Sequence, residues 1–482
     1  MLAEQLRIEA PRSQRVRRVP GQPIVWGGVA IVVLILAVLW VVVSGMRPAF
    51  DAYGWLVWGH QALHLSLDLN AAPSWKPLSF LFTLPYALAG RGAVWLWMAT
   101  AVAVAFSSPV FAARIAWRLA DQRRNRLGAS LAAGFAGLGV LGLAGYWHFI
   151  LIATADPMMV ALSLAVIDQH LCGRRRLAWV LLVLLALGRP EPWLLTGLYA
   201  AWSWRSHPDM RRALVIGGAA LAFLWFGMSR LSSPSWLVAG QVDLRTAVPR
   251  PGNRFVGVMN DYFSLYEPPM QLAALFALGY AARRREWTWL IIAGAAAGWL
   301  LVDVALGLDN FRASPHYMFE PAAVTVVLAG AAAGRAVSAD SWPLRATAVA
   351  GLVALGATMA SPARTRTRLV HNGIELGRTW TLVIHRLQHA VDRHGAKRIL
   401  ACGQPLTTLS FQSILAWELG VNVGKVQPVL PERLPTSDRL VYFQPNYAGW
   451  KIYPVRGRSP ACSTLTINTP ATGGTPLAAR LQ

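Results

Sequence analysis

Long charge-free runs alternate along the chain with short clusters of arginine, and this pattern sets the first expectation. Residues 24–45, IVWGGVAIVVLILAVLWVVVSG, form about 22 residues without a charge, enough to cross a bilayer as a helix. Arg7, Arg12, Arg15, Arg17 and Arg18 precede this run, which puts the N-terminal side in the cytoplasm under the positive-inside rule. The run exceeds the 7–15 residue core of a signal peptide, and no small-residue cleavage site follows, so it reads as a retained anchor. Further spans are predicted near 92–113, 127–147, 149–171, 212–230, 269–282, 287–307, 317–334 and 344–360, with a hairpin of two short helices over 177–204. Arg114–Arg126, Arg174–Arg176, Arg283–Arg285, Arg335 and Arg345 then all fall inside. Residues 78–90 are too short to cross, so they are placed as a helix in the outer interface; counting them as a span would invert every later loop. The expected architecture is an α-helical polytopic membrane protein with about 11 crossings in a bacterial plasma membrane.

The last 120 residues mix polar and apolar positions. RILACG, RLVYFQP, GWKIYPVRG and STLTINT are predicted as strands, SFQSILAWELG as a helix, and 372–394 as an amphipathic helix leading in. This predicts a small extracytoplasmic α/β domain. The divisions are a cytoplasmic tail 1–23, a membrane domain 24–360 with a first outer loop 46–91, and an outer domain 361–482. Composition agrees with the pattern, at 55% hydrophobic and 14% charged residues, which excludes disorder and an ordinary soluble fold. The net charge of +23 is topological here and does not indicate nucleic acid. Of three cysteines, Cys402 and Cys462 fall in the outer domain, where an oxidising space allows a disulfide, whereas Cys172 sits at an inner membrane edge.

Acids in or against a bilayer are costly and mark function or pairing. Asp51, Asp156, Glu191, Asp303, Asp309 and Glu320 all fall toward the outer side, with His60, Lys76, Arg189, Arg312, His316 and Tyr317. They could line one outward cavity or be interfacial groups paired with one another. In the first outer loop Asp51, Trp55 and Trp58 recur at helical spacing, which suits a Trp-rich helix at the membrane surface or a plain aromatic belt. The loop 231–268 is expected over the same face. Trp417, Tyr442, Tyr447 and Trp450 are candidates for carbohydrate stacking, or for the core of the outer domain. No internal repeat, CxxC site or P-loop stands out.

The order and sidedness of these motifs resemble the GT-C superfamily of membrane glycosyltransferases, across roughly residues 24–335. Asp51 in PAFDAYGW matches by position the acid of that superfamily's first outer loop. WKPLSFLFTLPYALAG resembles its Pro-Leu interfacial helix, with Lys76, Pro77 and Leu78 in the matching places. ATADPMMVAL matches an acid-containing span start at Asp156, GRPEPWLL an Arg-Pro-Glu element, and SPHYMFEPAA a late element with His316, Tyr317 and Pro321. A clear Asp-Glu pair beside Asp51, as in protein O-mannosyltransferases, is lacking.

The resemblance implies an inverting hexosyl- or pentosyltransferase, of mannosyl- or arabinosyltransferase type, working in cell-envelope biogenesis. Its donor would be a polyprenyl-phosphate sugar and its acceptor a glycan, glycolipid or protein. Asp51 would be the general base, with Lys76, Arg189, Arg312, His316 and Tyr317 at the donor phosphate and lipid. His60, Trp55, Trp58, Asp156 and Glu191 would orient the acceptor. Metal dependence stays open, with Mg2+ or Mn2+ as candidate cofactors. The rival classes are a multi-pass transporter or lipid flippase, for which intramembrane charge is equally apt, and a non-catalytic envelope scaffold.

Overall fold

The computed structural model describes residues 22–71, 73–120, 126–238, 252–309, 314–429, 439–446, 449–456, 462 and 466–469. A helical bundle carries a small five-stranded sheet near the C-terminal end. The charge-free first run forms α1 (Gln22–Ser44), and the first loop forms α2 (Phe50–Leu63) and α3 (Pro77–Tyr86). Proline occupies the first position of α3, where its missing N–H costs nothing. A short turn with Gly90 at φ 56° then bends the chain into α4 (Ala93–Leu119). The bundle continues as α5 (Arg126–Leu141), α6 (Tyr146–Leu151), α7 (Asp156–Leu171), α8 (Arg175–Gly188), α9 (Trp193–Ser206), α10 (Arg211–Ala222) and α11 (Met228–Ser232). After α12 (Arg254–Phe263) come α13 (Pro268–Arg284), α14 (Trp287–Leu308), α15 (Phe319–Val337) and α16 (Trp342–His394).

Helices occupy each stretch in which the apolar pattern marks a span. Among the described residues, six helical stretches are long and apolar enough to cross a membrane, namely Val25–Ser44, Pro77–Leu119, Pro208–Ser232, Trp287–Leu308, Pro315–Val337 and Arg345–His394. α15 is the hub, with nearly every residue buried. Its small residues let backbones approach: a Cβ on Gly334 would stand 2.4 Å from the Gly128 carbonyl oxygen. α1 turns the opposite character outward, with Ile31 60% and Val43 70% exposed, a surface that lipid would cover.

The helix ends sort onto two rims. On one, Arg335 donates to Leu119 O at 2.9 Å and to Glu286 at 2.9 Å, Arg114 pairs with Asp168 at 3.1 Å, and Arg176 pairs with Asp209 at 3.3 Å. On the other, Ala49 N–H donates to Ile152 O at 3.0 Å, Ala144 N–H to Leu265 O at 2.9 Å, Arg254 to Leu308 O at 2.9 Å, and Arg366 pairs with Glu267. The arginine-rich loops thus share the first rim and the sequence-marked acids the second.

Several expectations are corrected. The stretches 344–360 and 372–394 belong to one continuous helix, α16, which passes through residue 361 without a break. The predicted span 127–147 stops at Leu141, because Gly142 and the left-handed Gly145 turn the chain, and the next long helix begins at Asp156 and not at 149. RILACG is not a strand: α17 (Ala396–Ala401) takes it, as Ala, Lys, Arg and Leu favour helix, and strand β1 (Gln404–Thr408) follows. α2 is no surface helix, since Ala52 to Gly59 are all buried. Its second covering is α18 (Gln412–Leu419), the outer-domain helix, whose Ser413 lies against Gly54.

The sheet order is β2-β1-β3-β4-β5, with β2 at Gln427–Val429, β3 at Leu440–Asn446, β4 at Gly449–Arg456 and β5 at Ile467–Asn468. β1 pairs in parallel with β2 and β3, and the remaining pairs are antiparallel. Trp450 clamps this sheet to α16, its indole N–H donating to Val383 O at 2.8 Å while Phe411 stacks between it and Trp380. Cys402 and Cys462 are joined by a disulfide.

Candidate functional site

The acids that stand out in the sequence converge on the second rim. Asp156 opens α7 just before Pro157, where a helix N-terminus favours negative charge. Arg189 ends α8 in extended backbone, held there by the proline that follows, and forms a buried ion pair with Asp156. Its guanidinium also lies 4.4 Å from the centre of the Tyr317 ring, a cation–π contact in a dry setting. Glu191 follows within the same Arg-Pro-Glu turn, Glu320 lies in the first turn of α15, and Asp303 lies near the end of α14. Asp156, Arg189, Glu191, Asp303 and Glu320 are each no more than 5% exposed.

These groups act on one another electrostatically. Asp156 feels Arg189, His316 and Lys76; Glu320 feels Arg189, Glu191 and Asp156; Asp303 feels Glu191 and Glu320. Among the described residues, four carboxylates therefore face two full cations, Arg189 and Lys76, in a low-dielectric setting. Much of their bonding capacity is unmet, since Arg189 Nη1, Glu191 Oε2, Asp303 Oδ2 and both Glu320 oxygens have no hydrogen-bond partner among the described residues. Buried polar atoms without partners are costly, and a cluster of them marks a place kept for a ligand, protons or movement. Among the described residues no three His, Cys, Asp or Glu side chains stand close enough together to hold a metal ion.

Asp51 sits half-buried in the first turn of α2. Trp55 follows one turn later on the same face, and Lys76 Nζ lies 5.4 Å from the Trp55 ring centre. The start of α2 is tied to the polar cluster's own loop by the Ala49–Ile152 bond. That loop carries strain, because buried Ala153 has φ 48°, a left-handed conformation that a non-glycine residue adopts only when its surroundings impose it. One such constraint is the Trp97 indole, which donates to Ala153 O at 2.9 Å. Asp51, Lys76 and Asp156 thus flank one loop.

Trp55 and Trp58 are fully buried, edge-on to Trp97 and Trp75 respectively, and are core residues with no surface for an acceptor. His60 lies apart from the acids, in the wall of a cavity of about 680 Å³ between α2 and α18. Arg312 and Tyr447 lie outside the described residues. Trp450 is core, whereas half-buried Trp417 reaches this cavity. Sequence reasoning missed that cavity, with Gln61, His64, Arg91, Glu418 and Asn422 in its wall, because its two sides lie some 350 residues apart. No protein-family model, curated protein or solved structure matches the chain.

Proposed function

We propose that the chain is a multi-pass membrane glycosyltransferase of GT-C type, with its helices making eleven crossings, its N-terminal side in the cytoplasm and its sheet domain outside. It would move a sugar from a polyprenyl phosphate to a cell-envelope acceptor. The observation that carries this reading is the convergence of Lys76, Asp156, Arg189, Glu191, His316 and Glu320, from separate segments, at one end of an apolar bundle. Transfer from a lipid phosphate needs cationic donors for the leaving phosphate, a base for the acceptor hydroxyl and an apolar path for the prenyl chain. Lys76 supplies charge for the phosphate, and His316 offers a ring N–H beside it. Arg189, fixed by Asp156 and Tyr317, keeps Nη1 for an incoming oxygen. Asp51, at the dipole-positive start of α2, takes the acceptor proton, and the exposed apolar flanks of the helices receive the lipid.

One specific observation favours a second reading, an ion- or proton-coupled carrier: Asp303 and Glu320 are buried carboxylates with oxygens that lack partners. Transfer from radiolabelled polyprenyl-phosphate sugars by the purified protein in nanodiscs separates the two. Product formed by the wild type and lost in folded Asp51→Asn supports the transferase and its base. Absence of product from every donor, together with a pH-gradient-driven flux in proteoliposomes that Glu320→Gln abolishes, would transfer the site to the carrier reading.

A further inference from the structure

The cavity between α2 and α18 stands apart from the buried acids and has its own chemistry. α2 contributes Val57, His60 and Gln61, and α18 with the turn after it contributes Trp417, Glu418 and Asn422. At about 680 Å³ it falls within the ~300–1,000 Å³ range of small-ligand sites. Its hydrogen-bonding groups are only half used. Gln61 accepts from Asp68 N–H at 3.3 Å through Oε1, and Asn422 accepts from Gly424 N–H at 2.8 Å through Oδ1, so each amide keeps an unengaged NH2 group. His64 uses Nδ1 against His60 O at 2.8 Å and keeps Nε2, while His60 Nε2 is buried with no partner. The Glu418 carboxyl has no hydrogen-bond partner among the described residues, and burial pushes it up to about 7, so near neutral pH it both donates and accepts. Burial also lowers His60, which keeps that ring neutral. Among the residues lining the cavity the full cation is Arg91, which is committed to Asp392 through two bonds of 2.6 and 2.9 Å.

Neutral donors, a carboxyl that can act both ways and an indole beside them match a polyhydroxylated, uncharged ligand. They do not match a phosphate, which would meet Glu418 and find no uncommitted cation. We propose that this cavity is the acceptor subsite and binds a neutral glycan chain. The inference rests on the transferase reading, and it places the bound chain about nine residues, or roughly 13 Å, along α2 from Asp51. One helix thereby joins base and acceptor site, and the C-terminal domain supplies the opposite wall.

Binding is measured without any donor, so it is separable from transfer. Saturation-transfer NMR with the full chain in nanodiscs uses mannotriose, maltotriose and cellotriose, with mannose 6-phosphate as the charged competitor. At least one neutral trisaccharide is expected to bind, equally well in Asp51→Asn. Asn422→Asp keeps the bond to Gly424 but loses the NH2 donor, and Glu418→Ala removes the carboxyl. Each should weaken binding about tenfold or more at unchanged melting temperature. In a working transfer assay both should raise the acceptor KM and leave kcat near that of the wild type. Binding without transfer would keep the subsite and discard the transferase. No neutral binding, binding unaffected by either variant, or preference for the phosphorylated sugar would each overturn the proposal.

Discussion

A buried guanidinium with one carboxylate bound to it and others close by is held by competition, and Arg189 has that position. Removing one partner of a buried ion pair strands the other charge and costs about 3–5 kcal/mol, whereas removing both costs far less. Arg189→Met and Asp156→Leu should therefore each lower thermal stability sharply, and the double variant should recover much of the loss. Melting curves in a lipid environment read this as a double-mutant cycle, and simple additivity of the two losses would mean that the pair is not a coupled unit. At this scale the sequence was informative because charge inside apolar runs is conspicuous: Asp156, Arg189, Glu191, Asp303 and Glu320 are all visible as exceptions to their surroundings. Their pairing was not visible. That Arg189 faces Asp156 and Tyr317 depends on how α7, α8 and the segment before α15 pack, which no local spacing encodes.

At the scale of elements, α2 is held by close backbone approach. A Cβ on Gly59 would stand 2.4 Å from Thr83 O and 2.7 Å from Thr83 C, both backbone atoms of α3 that cannot rotate aside. Gly59→Ala should push α2 off α3 at a cost of about 1–3 kcal/mol and disturb both Asp51 and the α2–α18 cavity. Gly197→Ala, at a helical glycine with nothing within 4 Å, should be neutral or slightly stabilising. Equal melting temperatures for the two variants would show that the α2–α3 approach is looser than described. The helix itself was legible from the spacing of Asp51, Trp55 and Trp58, but its depth was not. An aromatic helix reads the same whether lipid or protein covers it, and the protein covering comes from Ser413 and Trp417, which tie α2 to a domain hundreds of residues later. The same limit explains α16. An arginine-rich stretch after an apolar one suggests two helices, yet no break occurs between Ala360 and Asn372, and Pro362 sits inside the helix.

For the whole molecule, the alternation of arginine clusters predicts orientation as well as span positions, and the two rims make that prediction testable at single residues. If Arg335, Arg114 and Arg176 gather on the cytoplasmic rim, Ser66 in the wall of the α2–α18 cavity faces outward and Arg285 faces inward. In a Cys172→Ser background, Ser66→Cys should react with an impermeant maleimide in intact cells, whereas Arg285→Cys should react only after permeabilisation. Cys402 and Cys462, bonded to each other, should stay silent until reduced. The opposite labelling would invert the orientation and put the buried acids on the cytoplasmic rim, out of reach of an extracytoplasmic acceptor. Silence at both positions would show that these rims are not exposed, and the two-rim arrangement would fall with the orientation. The expected pattern would instead place the polar cluster, the strained Ala153 loop and the α2–α18 cavity together on the outer surface, where a membrane-borne donor and a bulky acceptor can meet.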